Sequence, residues 1–185
     1  MSVVRASLLF VVLTAGLTAV PKPAAAQSFP VAVPTADLFF GYQAVHVPGQ
    51  NYPFGFAAGM SAGTTFIRVV AAGGVAIDSH STPATGTLTL YHYGAGPRVG
   101  AAIGPVHPYA QVLFGGVTSR ADRTSSAVGA ITQSNSAFMV QPGVGVAVAA
   151  TRTFGFIGEY SYRTVFFSQT DHEHAVFAGV RVAFR

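Results

Sequence analysis

The stretch Phe154–Phe166 (FGFIGEYSYRTVF) constrains the fold more than any other part of the chain. Successive side chains of a strand point to opposite sides. As a strand, this stretch puts Phe156, Gly158, Tyr160, Tyr162, Thr164 and Phe166 on one face and Ile157, Glu159, Ser161 and Arg163 on the other. The charges therefore keep company with the smaller side chains, and the aromatic face is the greasier. A soluble sheet turns its apolar face to a core and its charges to water. A membrane barrel turns the apolar face to lipid and the charges into its lumen. One strand does not separate these cases, but eight with the same habit do.

Seven further segments repeat the pattern. Ala36–Val47 sets Leu38, Phe40 and Tyr42 against Asp37 and Gln43, residues 52–62 set Phe54, Phe56 and Met60 against small residues, and residues 65–77 set Ile67, Val69 and Val75 against Arg68. Residues 87–101 oppose Tyr91, Tyr93 and Val99 to His92 and Arg98, and residues 109–119 oppose Val112 and Phe114 to Gln111. Residues 138–149 oppose four valines and Phe138 to Met139 and Gln141, and residues 174–184 oppose Val176, Val180, Val182 and Phe184 to Phe177 and Arg181. Pro97 and Pro142 fall inside two of these strands, where proline is tolerated only at edges or bulges. Connections alternate between short (63–64, 103–107, 151–153) and long (48–51, 78–86, 120–135, 167–173), the asymmetry of a membrane barrel.

Composition decides between lipid and water. Half of the residues are hydrophobic, only 9% are charged and the mean hydropathy is +0.47, yet no later stretch reads as a spanning helix. A soluble barrel of the lipocalin kind would crowd Tyr, Phe and Val into a narrow interior and show glycine and alanine to water. Inverted, the scheme works: an eight-stranded lumen is only just wide enough for side chains, and small residues make room for arginines and their partners. The expected fold is all-β, an eight-stranded antiparallel up-and-down transmembrane β-barrel over residues 36–185. Its lumenal polar network is expected to comprise Asp37, Arg68, Arg98, Gln111, Gln141, Glu159, Arg163 and Arg181. Asp37 and Arg181 should pair across the seam between first and last strands. Glu159, the other inward carboxylate, should serve Arg68, Arg98 and Arg163 as the hub, so that Glu159→Ala costs more stability than Asp37→Ala.

Residues 1–26 have the layout of a cleaved secretory signal peptide: Arg5, an apolar run over residues 8–20 and three alanines at 24–26. Residues 27–35 are expected to form a short periplasmic segment. Cleavage removes Arg5 and Lys22 and lowers the net charge of +4 by two, which gives little support to a nucleic-acid partner. No cysteine is present, so disulfides, thiol catalysis and zinc–thiolate sites are excluded. With both ends in the periplasm, the short turns face it and the long loops face outward, with residues 120–135 the first to meet surface protease.

The opening strand Ala36-Asp37-Leu38-Phe39-Phe40-Gly41-Tyr42, Gly94-Ala95-Gly96-Pro97-Arg98, the run from Pro108 to Gly116 and the terminal Gly179-Val180-Arg181-Val182-Ala183-Phe184 together resemble the small OmpA-like outer-membrane β-barrels. The resemblance implies a bacterial outer-membrane location and a monomer. It also implies contact with outer-membrane lipid and lipopolysaccharide, and recognition by the barrel-assembly machinery through a terminal aromatic insertion signal, here Phe184. A structural or interaction role with a plugged lumen is expected; a narrow porin-like channel or an outer-membrane lipid-modifying enzyme are the alternatives. For catalysis the candidates are Ser79, His80 and Ser81, or His172 and His174 with Asp171 and Glu173, all in polar segments where such residues are ordinary turn formers. His172 and His174 share a strand face but lack a third metal ligand. No catalytic, metal or cofactor site is assigned. Arg120 and Arg123 flank Asp122 as a rim salt bridge or a phosphate contact, and His46, His92 and His107 are placed at rim, lumen and turn.

Overall fold

The computed structural model describes residues 36–78, 87–125, 129–167 and 170–184, without the side chains of 50, 87 and 122–133. The expected signal peptide, residues 27–35, Ser79, His80, Ser81 and the side chains of Asp122 and Arg123 lie outside these described residues.

Nine strands run in chain order: β1 (Ala36–Val47), β2 (Gln50–Tyr52), β3 (Phe54–Gly63), β4 (Ile67–Ile77), β5 (Thr87–Gly100), β6 (Val106–Ser125), β7 (Gly129–Ala149), β8 (Phe154–Phe166) and β9 (Thr170–Phe184). From β3 onward each pairs antiparallel with the next, and β1 pairs with both β3 and β9, which closes the sheet. Strand β2 continues β3 across Pro53, which lacks the N–H a ladder needs; the Tyr42 hydroxyl donates to the Pro53 carbonyl at this break. The barrel is therefore eight-stranded, antiparallel and up-and-down.

Alternation sorts the side chains as the pattern requires. Phe40, Phe56 and Phe156 are 57%, 59% and 62% exposed on the outer surface, whereas Arg163 and Met139 are 0% exposed inside. This inverts a soluble barrel and gives a transmembrane one, because the outer belt satisfies no polar solvent and the closed ladder leaves no edge for lipid to desolvate. Two apolar clusters fill parts of the lumen. One gathers Phe39, Val70, Tyr109, Leu113, Ile157 and Phe177 towards the end with the short turns; the other gathers Val45, Tyr52, Leu90, Val117, Met139 and Val165 towards the loop end.

The turns are made by local chemistry. Thr64 Oγ1 accepts from the N–H of Phe66 and Ile67 at 3.3 and 3.1 Å, and Thr151 Oγ1 does the same for Thr153 and Phe154 at 3.3 and 2.9 Å. Each hydroxyl satisfies backbone donors the ladder cannot reach. The third turn bridges Ile103 to Val106 around Gly104, whose φ of 61° suits the first corner of a two-residue hairpin. Pro48–Gly49, with Gly49 at φ 84°, tightens the expected 48–51 turn to two residues, so that Gln50–Tyr52 pair back onto β1.

Two expected boundaries are corrected. Residues 120–125 and 129–135, expected in a loop, are strand: β6 runs to Ser125 and β7 starts at Gly129, paired from Ser119↔Asn135 to Ser125↔Gly129. Residues 170–173, expected in a loop, belong to β9. Both segments are polar on both faces, and beyond a lipid belt neither face needs an apolar row, so periodicity carries no signal there. The protease target expected at 120–135 is thus mostly ladder. The prolines are absorbed by lapses in pairing: β5–β6 skips from Ala95↔Phe114 to Arg98↔Gln111 beside Pro97, and β7–β8 skips from Val140↔Thr164 to Gly143↔Ser161 beside Pro142. Each proline stays paired on its other side, with Val69 and Val112 respectively.

Large lumenal residues lie over glycines of neighbouring strands. A Cβ at Gly59 would strike the Phe39 ring, one at Gly74 the His92 ring, and one at Gly145 the Tyr109 ring. Gly145→Leu is therefore expected to destabilise the barrel by about 1–3 kcal/mol, the usual cost of overpacking, in denaturant titrations in detergent. Gly49→Ala, at a turn position with open space around it, should cost only its backbone strain, about 1 kcal/mol.

Candidate functional site in the barrel lumen

Lumenal polar side chains gather into three tiers, each seeded by cross-strand register. At the turn end, Asp37 of β1 faces Ser61 of β3, and Arg68 and Arg181 reach in from the flanking strands. Asp37 Oδ2 lies 2.9 Å from both Arg68 Nη2 and Arg181 Nε, and Ser61 Oγ donates to Asp37 Oδ1 at 2.7 Å. Arg68 Nε donates in turn to Ser61 Oγ at 2.9 Å. One carboxylate, 2% exposed, thus serves two guanidiniums, an arrangement stabilised by charge-assisted hydrogen bonds.

The middle tier surrounds Glu159 of β8. Tyr109 donates its hydroxyl to Glu159 Oε2 at 2.9 Å and Gln111 Nε2 donates to Oε1 at 2.8 Å. Arg98, directly opposite Gln111 in the β5–β6 ladder, donates Nε to Gln111 Oε1 at 2.8 Å. Its Nη2 stands 3.8 Å from Glu159 Oε2, an ion pair but too long for a hydrogen bond. The guanidinium instead lies 4.0 Å from the Tyr109 ring centroid and 5.5 Å from that of Phe39, which gives the cation a second source of attraction.

At the loop end, Arg163 faces Glu173 across the β8–β9 ladder, and its Nη1 lies 3.4 Å from Glu173 Oε2. Arg163 Nε donates to Gln141 Oε1 at 2.7 Å, and Gln141 Nε2 donates to Ser161 Oγ at 3.0 Å. Among the described residues, the buried atoms Gln43 Oε1, His92 Nδ1, Arg98 Nη2 and Arg163 Nη2 have no protein hydrogen-bond partner. These are where water would have to enter.

All eight residues expected in the lumen, Asp37, Arg68, Arg98, Gln111, Gln141, Glu159, Arg163 and Arg181, stand in these tiers. They form three centres and not one. Glu159 meets Arg98 alone of its three expected arginines, while Arg68 goes to Asp37 and Arg163 to Glu173. Glu159 is also not the only other inward carboxylate, because Glu173 is 3% exposed. Extending the parity of Arg181, Gly179, Phe177 and Ala175 by one step would have found it. Ser61, Ser161 and Tyr109 were equally legible on inward rows.

Alternation also divides the segment Asp171 to His174. His172 and His174 are exposed on the outer face, Glu173 turns inward and Asp171 is exposed at the rim. Among the described residues no three His, Asp or Glu groups are arranged to hold a metal. Arg120 is exposed on β6, His46 is exposed near the loop end of β1, and His92 is 6% exposed in the lumen. His107 lies within β6 and not in a turn.

The geometry reverses the expected ranking of the two carboxylates. Removing Asp37 takes the carboxylate from two arginines, although Arg68 keeps its hydrogen bonds to Ser61, whereas removing Glu159 takes it from Arg98 alone, which keeps its Gln111 hydrogen bond and its two rings. Asp37→Ala is expected to cost about 3 kcal/mol and Glu159→Ala less, by denaturant unfolding in detergent. Equal losses would show that water at the turn end screens the Asp37 tier.

No protein-family model matches the sequence, and no curated protein matches it significantly. Solved structures do match the fold. Neisserial surface protein A (NspA) superposes with a TM-score of 0.64 at 16% identity over 80% of this chain and 96% of that one. Ail, the attachment invasion locus protein of Yersinia pestis, gives 0.56 at 15% identity over 80% and 96%. The N-terminal β-barrel domain of Pseudomonas aeruginosa OprF gives 0.50 at 11% identity over 80% and 98%. At these identities the likeness is one of fold, and the fold is that of the small eight-stranded transmembrane β-barrels.

Proposed function

We propose that the chain is an integral protein of the bacterial outer membrane, exported by its N-terminal signal peptide, that works through its outer surface and loops and not as a conduit. The observation that carries this is the fill of the lumen. Arg163, a long cation in the loop-end tier, is 0% exposed, and Asp37, Arg98, Gln111 and Gln141 are 2–5% exposed. A solute would have to break an arginine–carboxylate contact at three successive levels, each costly in a desolvated interior. With transit closed, what remains available to other molecules is the outside. The names of two structures of like fold, a surface protein and an attachment invasion locus protein, agree with a role in surface interaction.

In this role the protein is a monomer without cofactor, in contact with outer-membrane lipid and lipopolysaccharide. Phe184, exposed on the outer face at the last position of β9, is the aromatic read by the barrel-assembly machinery. Catalysis is not part of the proposal, since among the described residues the outer face around His172 and His174 carries no carboxylate, and Glu173 between them turns into the lumen.

Planar-bilayer recording tests the closed lumen. The purified protein is expected to give no stable unitary steps, and Arg163→Ala to introduce small ones by opening the loop-end tier. Stable steps from the unaltered protein would overturn the closed lumen and make the protein a narrow channel.

A further inference from the structure

Where β8, β9 and β1 meet, five ring side chains gather on the outer face near the loop end. His46 stands opposite His174 across the closing seam, and His174 stands opposite Tyr162. Ring centroids are 6.4 Å apart for His46 and His174, 5.2 Å for Tyr162 and His174, and 5.5 Å for Tyr162 and His172. Tyr160 Oη lies 2.6 Å from His174 Nδ1, and His46 Nδ1 is hydrogen-bonded to Asn51 Oδ1. All three histidines are exposed.

The height of this group matters. Along the same outward rows, Leu38, Phe40 and Tyr42 precede His46, Val180 and Val176 precede His174, and Phe154 and Phe156 precede Tyr160. Tyr42, Tyr160 and Tyr162 stand where these rows pass from aliphatic and phenyl side chains to the histidines, and exposed Phe166, stacked on Phe138, lies beyond them on β8, so the histidines sit within a band of ring side chains of the kind that marks a membrane interface. Alternation sends the neighbouring charges the other way. Asp37 on β1, Glu159 and Arg163 on β8, and Glu173 and Arg181 on β9 all face the lumen, and Asp171 lies at the rim beyond. Asn51 on β2 is neutral, and Tyr52 beside it is buried. Among the described residues the outward rows of these strands hold no carboxylate and no arginine, so a proton taken up there is not neutralised by the protein.

We propose that His46, His172 and His174 form a proton-dependent site for the phosphate headgroup of an outer-leaflet lipid. Histidine is the side chain whose charge changes between pH 5 and 8. Because His46 Nδ1 donates to Asn51, Nε2 is the nitrogen left to bond a phosphate oxygen. Protonated His172 and His174 add charge-assisted donors two residues apart on the same face. The tyrosine rings below offer the acyl-chain boundary an amphipathic edge. The site rests on the outer-membrane placement proposed above.

The test uses the full chain refolded into phosphatidylcholine vesicles with or without phosphatidic acid, at about pH 5.5 and about pH 7.5. The temperature at which the unboiled protein loses its fast gel mobility is followed. Phosphatidic acid is expected to raise that temperature by about 4 °C at the lower pH and not at the higher. The triple variant H46Q/H172Q/H174Q should keep the fast-migrating form and lose the shift, and H172Q alone, at an exposed position, should lose part of it. A shift of equal size in both variants, no shift in the unaltered protein, or an equal shift from inorganic phosphate added to pure phosphatidylcholine would overturn the headgroup site. A chain with no fast-migrating form in any vesicle would overturn the membrane placement, and the site with it.

Discussion

A sheet in lipid has to close, because an unpaired backbone group there costs several kcal/mol. Closure here depends on β1 and β9, which pair from Ala36↔Phe184 to His46↔His174. Everything else follows from the small circumference that closing eight strands imposes. The lumen admits side chains and little more. Bulky inward residues are therefore rationed, and Phe39, His92 and Tyr109 each sit over a glycine on a neighbouring strand.

The same crowding explains why arginine, once inside, brings so many partners. Each of the four lumenal guanidiniums meets a carboxylate, and the three carboxylates are spaced along the axis so that no level carries an isolated charge. The amides of Gln111 and Gln141 and the hydroxyls of Ser61, Tyr109 and Ser161 take further donors and acceptors, while Arg98 Nη2 and Arg163 Nη2 are left without a protein hydrogen-bond partner. Two apolar clusters separate and seal the polar levels. Net stabilisation from such buried pairs is modest, and their larger effect is on register. A one-residue slip of β1, β4, β5, β8 or β9 would turn its lumenal charge toward lipid.

Much of this was legible in the chain because period-two alternation and the inside-out distribution of charge are both one-dimensional signals. Phe154–Phe166 sorts correctly by eye, and so does the Asp37–Arg181 pair, since first and last strands of a closed barrel are neighbours. What alternation does not carry is reach along the axis and strand extent beyond the belt. Parity alone gives Glu159 three arginines, but Arg68 and Arg163 lie nearer to Asp37 and Glu173. Beyond 119 in β6 and before 138 in β7, Ser, Thr and Gly on both faces look like a loop, although main-chain pairing continues to Ser125↔Gly129. The lapses beside Pro97 and Pro142 were half visible: the prolines announced an interruption without saying which neighbour would lose its bonds.

The closing seam also fixes the order of assembly. Every other ladder joins strands adjacent in the chain and can form locally, but Asp37 and Arg181 are 144 residues apart. Contacts of that separation carry the largest loop-closure cost and are made late. Until then β1 and β9 each present an open edge, with Asp37 already able to hold Arg68 from the β3–β4 side. Arrival of Arg181 at the same carboxylate oxygen then makes Asp37 a latch: a side chain half-engaged early, completed only when the cylinder shuts, and so a reporter of the last step of folding.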